Sequence, residues 1–371
     1  MSILIRECNF EDEFEVLKLW KRNNLIFDEP EKSWKEIWLK NPAYKKEWPI
    51  GWVLESKNRI VGSYLNIPLT YYYKTNKIIT AAGRGFVVDT EARSYSIKLA
   101  SFFFNQKNVD LFINTTCNKH SSTVLKIFNC HPLTNENYKS ILVSIINTKS
   151  VIKNKLYSML GFDNLFTDLI NIFLSPLFSI FLKFYGHASN KNKIQWDGNV
   201  KIINLKNINK DFDILWLKII NESLELLADK SSKVMRWHLS HKIESKNQNK
   251  ILAAYTNTEL KGYLLLYKVN LPGTSFKRYI IKDIVVLNNA PNITDALILK
   301  AFDVAKSEKV HSIVMIGMNK ITRERFMNFK PFKRKLDYMP VWFNTNLYKL
   351  KNSLLKSDVW YPSPYDGDSS I

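Results

Sequence analysis

The stretch that decides the fold is Gly83-Arg84-Gly85-Phe86-Val87-Val88-Asp89-Thr90-Glu91-Ala92-Arg93-Ser94-Tyr95-Ser96-Ile97-Lys98. An apolar strand closes at Val88, a short polar turn follows, and helical spacing begins near Arg93, with Tyr95, Leu99, Phe102 and Phe103 on one face. The first amides of a helix lack internal partners and its dipole is positive there, so such a turn is prepared for phosphate. Arg93 adds a forked cation, and Ser94 and Ser96 add hydroxyl donors. The same residues also suit an ordinary connection with a solvated arginine.

Working outward, residues 3–5, 51–55, 60–64, 78–82 and 83–88 read as strands, with Lys57-Asn58 as a hairpin turn. Residues 10–23 read as a helix through Phe14, Leu17 and Trp20, and 93–106 as another; strand 109–115 and helix 121–128 follow. The order returns in the second half. Strand 201–204 precedes helix 213–227, built on Trp216, Ile220, Leu224 and Leu227; strands 251–255, 262–267 and 279–287 come next. Helix 293–306, built on Ile293, Leu297, Ala301 and Ala305, leads to strand 310–318. Strand 87–88, helix, strand 109–115 thus answers to 285–286, helix, 310–318, roughly 200 residues on. The expected fold class is α/β (α+β), two tandem domains over 1–150 and 196–350, with a linker at 151–195 and a tail at 351–371.

Hydrophobic residues make up 46% and charged residues 24% of the 371, which excludes collagen-like and wholly disordered chains. The formal net charge of +20 draws the protein toward something anionic: nucleic acid, an acidic membrane surface, or a phosphorylated ligand. Cys8, Cys117 and Cys130 are too few and too odd in number for a disulfide framework, and no CxxC occurs for structural zinc. The N-terminus turns acidic at Glu7 before an apolar leader develops, so the expected setting is cytoplasmic.

Between the halves, 165–185 carries only Asp168 and Lys183 as charges, and Asn164, Asp168, Asn171, Ser175 and Ser179 form one narrow polar stripe at helical spacing. Residues 156–185 therefore read as a buried helical linker, as an in-plane contact with an anionic membrane, or as a span that Pro176 would interrupt. The membrane contact would make the protein peripheral to the inner face of the cell membrane.

This order of elements resembles the GNAT superfamily of acyl-CoA N-acyltransferases, in which the turn amides of strand, Arg/Gln-x-x-Gly-x-Gly/Ala, helix hold the CoA pyrophosphate. Arg93-Ser94-Tyr95-Ser96-Ile97-Lys98 keeps the arginine and puts Ser96 and Lys98 where glycine-like residues are usual. The hairpin Gly51-Trp52-Val53-Leu54-Glu55 with Arg59-Ile60-Val61-Gly62, the stretch 93–117, and Trp360-Tyr361-Pro362-Ser363-Pro364-Tyr365-Asp366-Gly367-Asp368 resemble a group of tandem GNAT-like bacterial proteins. The resemblance implies two tandem GNAT-like domains joined by an apolar helical linker. It further implies acetyl-CoA or another acyl-CoA held by Val87, Val88, Arg93, Ser94, Tyr95, Ser96 and Lys98, with Asn114 and Asn118 toward the pantetheine. The second turn, Leu287-Asn288-Asn289-Ala290-Pro291-Asn292, has neither arginine nor glycine, so the first half is the expected cofactor holder and the second the acceptor side.

Acyl transfer to an amine needs a proton acceptor and a donor for the departing thiolate. Asp89, Asp366 and Asp368 are the candidate bases, and Tyr365 and Tyr138 the candidate acids. Asp89 also suits a helix cap, and Asp366-Gly367-Asp368 a solvated turn. The aromatics and prolines of 360–365 predict a tail docked in a groove at the domain seam. His238 with His241 lacks a third metal ligand, Cys117 with His120 lacks an orienting acid, and Trp34, Trp38 and Tyr44 read as core aromatics. The run Lys330-Pro331-Phe332-Lys333-Arg334-Lys335 is a charged surface, or a contact for phosphate or an anionic bilayer. The functional expectation is acyl transfer from acyl-CoA to an amino group of a small molecule or cell-envelope sugar. Its alternatives are aminoacyl-tRNA-dependent transfer of the peptidoglycan type, the one reading with a nucleic-acid partner, and a non-catalytic membrane-associated scaffold.

Overall fold

Lys57 and Asn58 adopt left-handed φ values of 50° and 59°, the conformation that a two-residue loop needs to match strand twist, and they close the first hairpin. Around it, the computed structural model describes residues 3–25, 34–147, 196–240, 249–270, 276–336, 339–356 and 359–368. The strands are β1 (Leu4–Glu7), β2 (Gly51–Ser56), β3 (Arg59–Tyr73), β4 (Asn76–Val88), β5 (Leu111–Asn114), β6 (His131–Pro132), β7 (Ser140–Ile145) and β8 (Asn199–Ile203). They continue as β9 (Leu226–Ala228), β10 (Asn249–Thr256), β11 (Glu259–Asn270), β12 (Lys277–Val286), β13 (Ser312–Ile316), β14 (Phe332–Lys335) and β15 (Trp342–Thr345). The helices are α1 (Glu13–Arg22), α2 (Lys35–Leu39), α3 (Ser96–Phe104), α4 (Lys119–Ile127), α5 (Lys210–Glu222), α6 (Ser232–Ser240), α7 (Pro291–Ser307), α8 (Lys320–Met327) and α9 (Tyr348–Leu355).

Two sheets form, in the orders β1-β2-β3-β4-β5-β15-β6 and β14-β7-β13-β12-β11-β10-β8, with β9 on the remaining edge of β3. Neighbours are antiparallel except β4 with β5 and β12 with β13. Position by position, β1-β2-β3-β4-β5 of one sheet matches β8-β10-β11-β12-β13 of the other. Each sheet then takes its next strand from the other half of the chain: β15 lies between β5 and β6, and β7 lies between β13 and β14. The boundaries at 150 and 196 therefore do not coincide with the sheets.

Several local expectations change. Residues 78–88 form one strand rather than two, bent by a bulge at Gly85 (φ 58°), where β4 spends one extra residue between the partners of Ser63 and Leu65. The α3 helix starts at Ser96, so Arg93 lies in the 3-10 turn before it, and Phe102 faces outward while Leu99, Ala100 and Phe103 are buried. On α1 the buried face is Val16, Leu19 and Trp20, leaving Phe14 exposed. The helix expected through residue 227 ends at Glu222, because Ser223 turns extended (ψ 137°); Leu226–Ala228 then pairs with Tyr71–Tyr73 and Leu224 is exposed. The stripe on α7 is as read, with Ile293, Leu297, Ala301 and Ala305 buried.

Packing follows these faces. α3 covers one face of the first sheet through Leu99 and Phe103 against Tyr64 and Phe112, and α7 covers one face of the second through Leu297 and Ala301 against Leu264 and Ile281. The remaining faces share one core, where Leu65, Ile67 and Tyr71 meet Ile251, Tyr263 and Leu265, with Trp38, Trp360 and Tyr365 in the same cluster. The stretch 156–185 lies outside the described residues. Among the described residues no helix is long and apolar enough to cross a membrane.

Candidate active site

The parallel strands diverge in both sheets. Pairing of β4 with β5 runs from Thr80–Leu111 to Ala82–Ile113, and that of β12 with β13 from Arg278–Ser312 to Ile281–Met315. The segment 359–368 threads between the two openings. At the second, Tyr365 donates its amide to the Lys282 carbonyl (3.1 Å) and Met318 donates to the Pro362 carbonyl (3.2 Å). At the first, Thr115 Oγ1 donates to the Asp366 carbonyl (3.3 Å) and Arg84 Nη1 to the Asp368 carbonyl (3.3 Å).

These contacts give the two tail carboxylates different neighbours. Asp366 is enclosed by donors: Tyr71 Oη (2.9 Å), the Ser363 amide (2.8 Å), Ser363 Oγ (3.3 Å) and Trp360 Nε1 (3.5 Å). Its acceptor sites are spent on holding the turn, so it anchors the tail. Asp368 lies at the first opening, accepting from Thr115 Oγ1 (3.0 Å) and Thr116 Oγ1 (3.1 Å), with the Arg84 charge of β4 acting on the same carboxyl. Both carboxyls titrate above the usual range, and burial rather than mutual repulsion is the leading cause. Tyr365 is buried, donates its hydroxyl to the Asp229 carbonyl (3.1 Å), and stacks on His238 at 4.1 Å; this proton is engaged in packing, and His241 lies outside the described residues. Trp360 meets Tyr71 and Phe343 edge-on at 6.1 and 6.4 Å and is 1% exposed. Trp360→Ala should therefore cost about 3–5 kcal/mol in urea unfolding. Tyr348→Ala, on an exposed helix face, should stay within ~0.5 kcal/mol, and equal losses would remove the tail from the core.

Asp89 is held in an ion-paired cluster. Arg22 grips it through Nε (3.0 Å) and Nη2 (2.5 Å), Asn23 donates at 2.8 Å and Arg59 at 3.2 Å, and these partners hold its carboxyl below the usual range despite burial. It ties α1 to the end of β4. Val87 and Val88 pair with Ser63 and Gly62, leaving their other edge toward the opening. Arg93, Ser94 and Lys98 are exposed beside it, with Tyr95 and Ser96 half-buried; among the described residues no ion pair engages Arg93. Asn114 accepts from Tyr64 Oη (3.0 Å) inside the split. Asn118 caps α4, its Oδ1 accepting from the His120 and Ser121 amides at 3.0 and 2.9 Å. Cys117 contacts Ser121 rather than His120, and burial raises its thiol.

The second opening holds a cavity of about 700 Å³. Its walls include Trp216, Tyr73, Tyr361 and Val285, with Glu222, Glu225 and the buried pair Lys230–Asp283 as charges. Burial pushes the Glu225 carboxyl up and Lys230 pulls it back; among the described residues no ion pair reaches it. Glu225, Lys230 and Asp283 carry no signal in the sequence, because nothing in a lone Ser-Leu-Glu-Leu-Leu run marks one acid as facing a cavity. Tyr64, the acid nearest Asn114, was equally hidden in an apolar strand. Tyr138 is buried beside Gly317, and among the described residues its hydroxyl has no hydrogen-bond partner.

The sequence matches no protein-family profile and no curated protein. Solved structures do match. A GCN5-related N-acetyltransferase from Anabaena variabilis superposes with TM-score 0.52 at 11% identity, over 92% of this chain and 72% of its own. An Enterococcus faecalis protein described as a probable N-acyltransferase gives 0.55 at 10%, over 93% and 73%. N-myristoyltransferase of Saccharomyces cerevisiae, with bound myristoyl-CoA, gives 0.54 at 13%, over 92% and 79%. The chain has the GNAT fold. In that GNAT frame the turn at 90–95 follows the first split, and 287–289 follows the second, where Asn288 and Asn289 are left-handed (φ 55° and 49°) ahead of Pro291.

Proposed function

We propose that the protein transfers an acyl group from acyl-CoA to a primary amine, with the CoA at the first split and the amine approaching from the second. One observation carries the reading: Asp368 lies at the opening between β4 and β5, between Arg84 and Thr115–Thr116. The exposed Arg93 and the hydroxyls of Ser94 and Ser96 suit the phosphates of CoA, and Val87, Val88 and Asn114 suit its amide-bearing arm. The acidic lining at Glu222 and Glu225 suits a cationic amine, while Trp216, Tyr73 and Tyr361 suit an apolar body carrying it. In the transfer the amine nitrogen bonds to the thioester carbonyl carbon, the C–S bond breaks, the amine proton passes to the Asp368 carboxylate, and that proton is then returned to the thiolate, which leaves as the CoA thiol.

Isothermal titration with CoA, followed by turnover of a panel of amines, tests this. Arg93→Ala should weaken CoA by about tenfold or more, the worth of a charge-assisted phosphate contact. Asp368→Asn should leave CoA affinity unchanged and cut turnover by about a hundredfold or more. A carboxyl whose pKa is raised accepts a proton only above that pKa, so wild-type turnover should fall as pH drops through it, and this limb should vanish in the variant. Absence of CoA binding would end the proposal; CoA binding with normal Asp368→Asn turnover would remove only the base.

A further inference from the structure

We infer that the edge strand β14, together with the turn before it, docks the protein on an anionic lipid surface. The strand ends the second sheet and pairs only with β7, and all four of its residues are exposed. Lys330, Lys333, Arg334 and Lys335 fall within this short stretch, and among the described residues none of their side chains forms an ion pair. Arg278 on β12 extends the charge: it lies near enough to Arg334 for repulsion to lower its pKa, behind burial as the larger cause, and its Nε is buried without a hydrogen-bond partner. Among the described residues no carboxylate pairs with these cations, and such a gathering is unfavourable in the free protein and relieved by an anionic surface. Apolar groups accompany them, with Met327 45% and Phe332 38% exposed.

That combination points to a bilayer rather than to RNA. Single-stranded nucleic acid is held in basic grooves with stacking aromatics, whereas cations interleaved with a few apolar side chains on an open edge match a headgroup interface. Chain order agrees, since β7, the partner of β14, is the last described strand before the apolar stretch 156–185 in the sequence. Lysines on an edge strand also guard against edge-to-edge pairing, and the experiment separates the two roles.

The full chain is sedimented with vesicles of phosphatidylglycerol and phosphatidylcholine, and with phosphatidylcholine alone. Binding should need the anionic lipid and weaken with salt. The variant Lys333→Gln/Arg334→Gln/Lys335→Gln should lose on the order of a hundredfold in partitioning, at about fivefold per cation. Lys206→Gln/Lys210→Gln/Lys233→Gln, three exposed lysines elsewhere that lower the net charge equally, should bind as wild type. Melting temperature on each preparation confirms folding. Equal binding to neutral vesicles, or full binding by the β14 variant, overturns the inference. So does a β14 variant that self-associates yet keeps its vesicle affinity, which reads the lysines as edge guards, or one that loses only tRNA retention in a gel shift.

Discussion

Expressed separately, residues 1–147 and 196–371 should fail to give monodisperse, cooperatively melting proteins, whereas the two expressed together should associate and fold. The reason is the reciprocal strand exchange. Without the second half, the first sheet loses β15 from between β5 and β6 and loses β9 from β3, so backbone donors and acceptors inside the sheet lose their partners. Without the first half, the second sheet loses β7 from between β13 and β14. The shared core would be opened as well, exposing Leu65, Ile67 and Tyr71 on one side and Ile251, Tyr263 and Leu265 on the other. Size-exclusion chromatography with circular dichroism on the fragments checks this. A folded, monomeric 1–147 with a sharp transition would contradict it.

Lys230→Met should cost about 3–5 kcal/mol, because it strands Asp283, which is 4% exposed, without its counter-charge. The remaining support for that carboxylate is the Ile284 amide at 3.1 Å. Lys230→Met with Asp283→Leu removes the charges together, and it should recover most of the loss, since replacing a whole buried pair by apolar groups is often neutral. Lys230 also lies 4.7 Å over the Tyr365 ring, so the single variant should loosen the tail and lower turnover beyond what its melting temperature accounts for. Urea unfolding of the two variants and wild type decides the matter: a single variant within 1 kcal/mol of wild type would show the pair to be dispensable.

Local structure and its order were legible in the chain alone. The apolar strands 51–55 and 60–64 around Lys57-Asn58, the helical stripe of 293–306, and the two strand–helix–strand units are short-range properties, set by backbone geometry and side-chain period, whereas the full length of β3, to Tyr73, appeared only in the fold. The burial of the tail was legible for a similar reason, since Trp360, Tyr365 and two prolines carry much apolar area at low entropic cost. Tertiary structure decided the partners. A strand of four to six residues such as β15 or β7 reads alike whichever sheet receives it, because period two specifies a face and not a neighbour. Residues 226–228 kept helical spacing in sequence and became a strand once the edge of β3 offered backbone partners. The roles of the carboxylates were settled in the same way. Asp89 meets Arg22, 67 residues earlier, Asp366 meets Tyr71, 295 residues earlier, and Asp368 meets Thr115, 253 residues earlier. Three similar acids thus become an ion-paired anchor, a tail lock and a proton acceptor candidate, because proton affinity follows the groups that fold around each one.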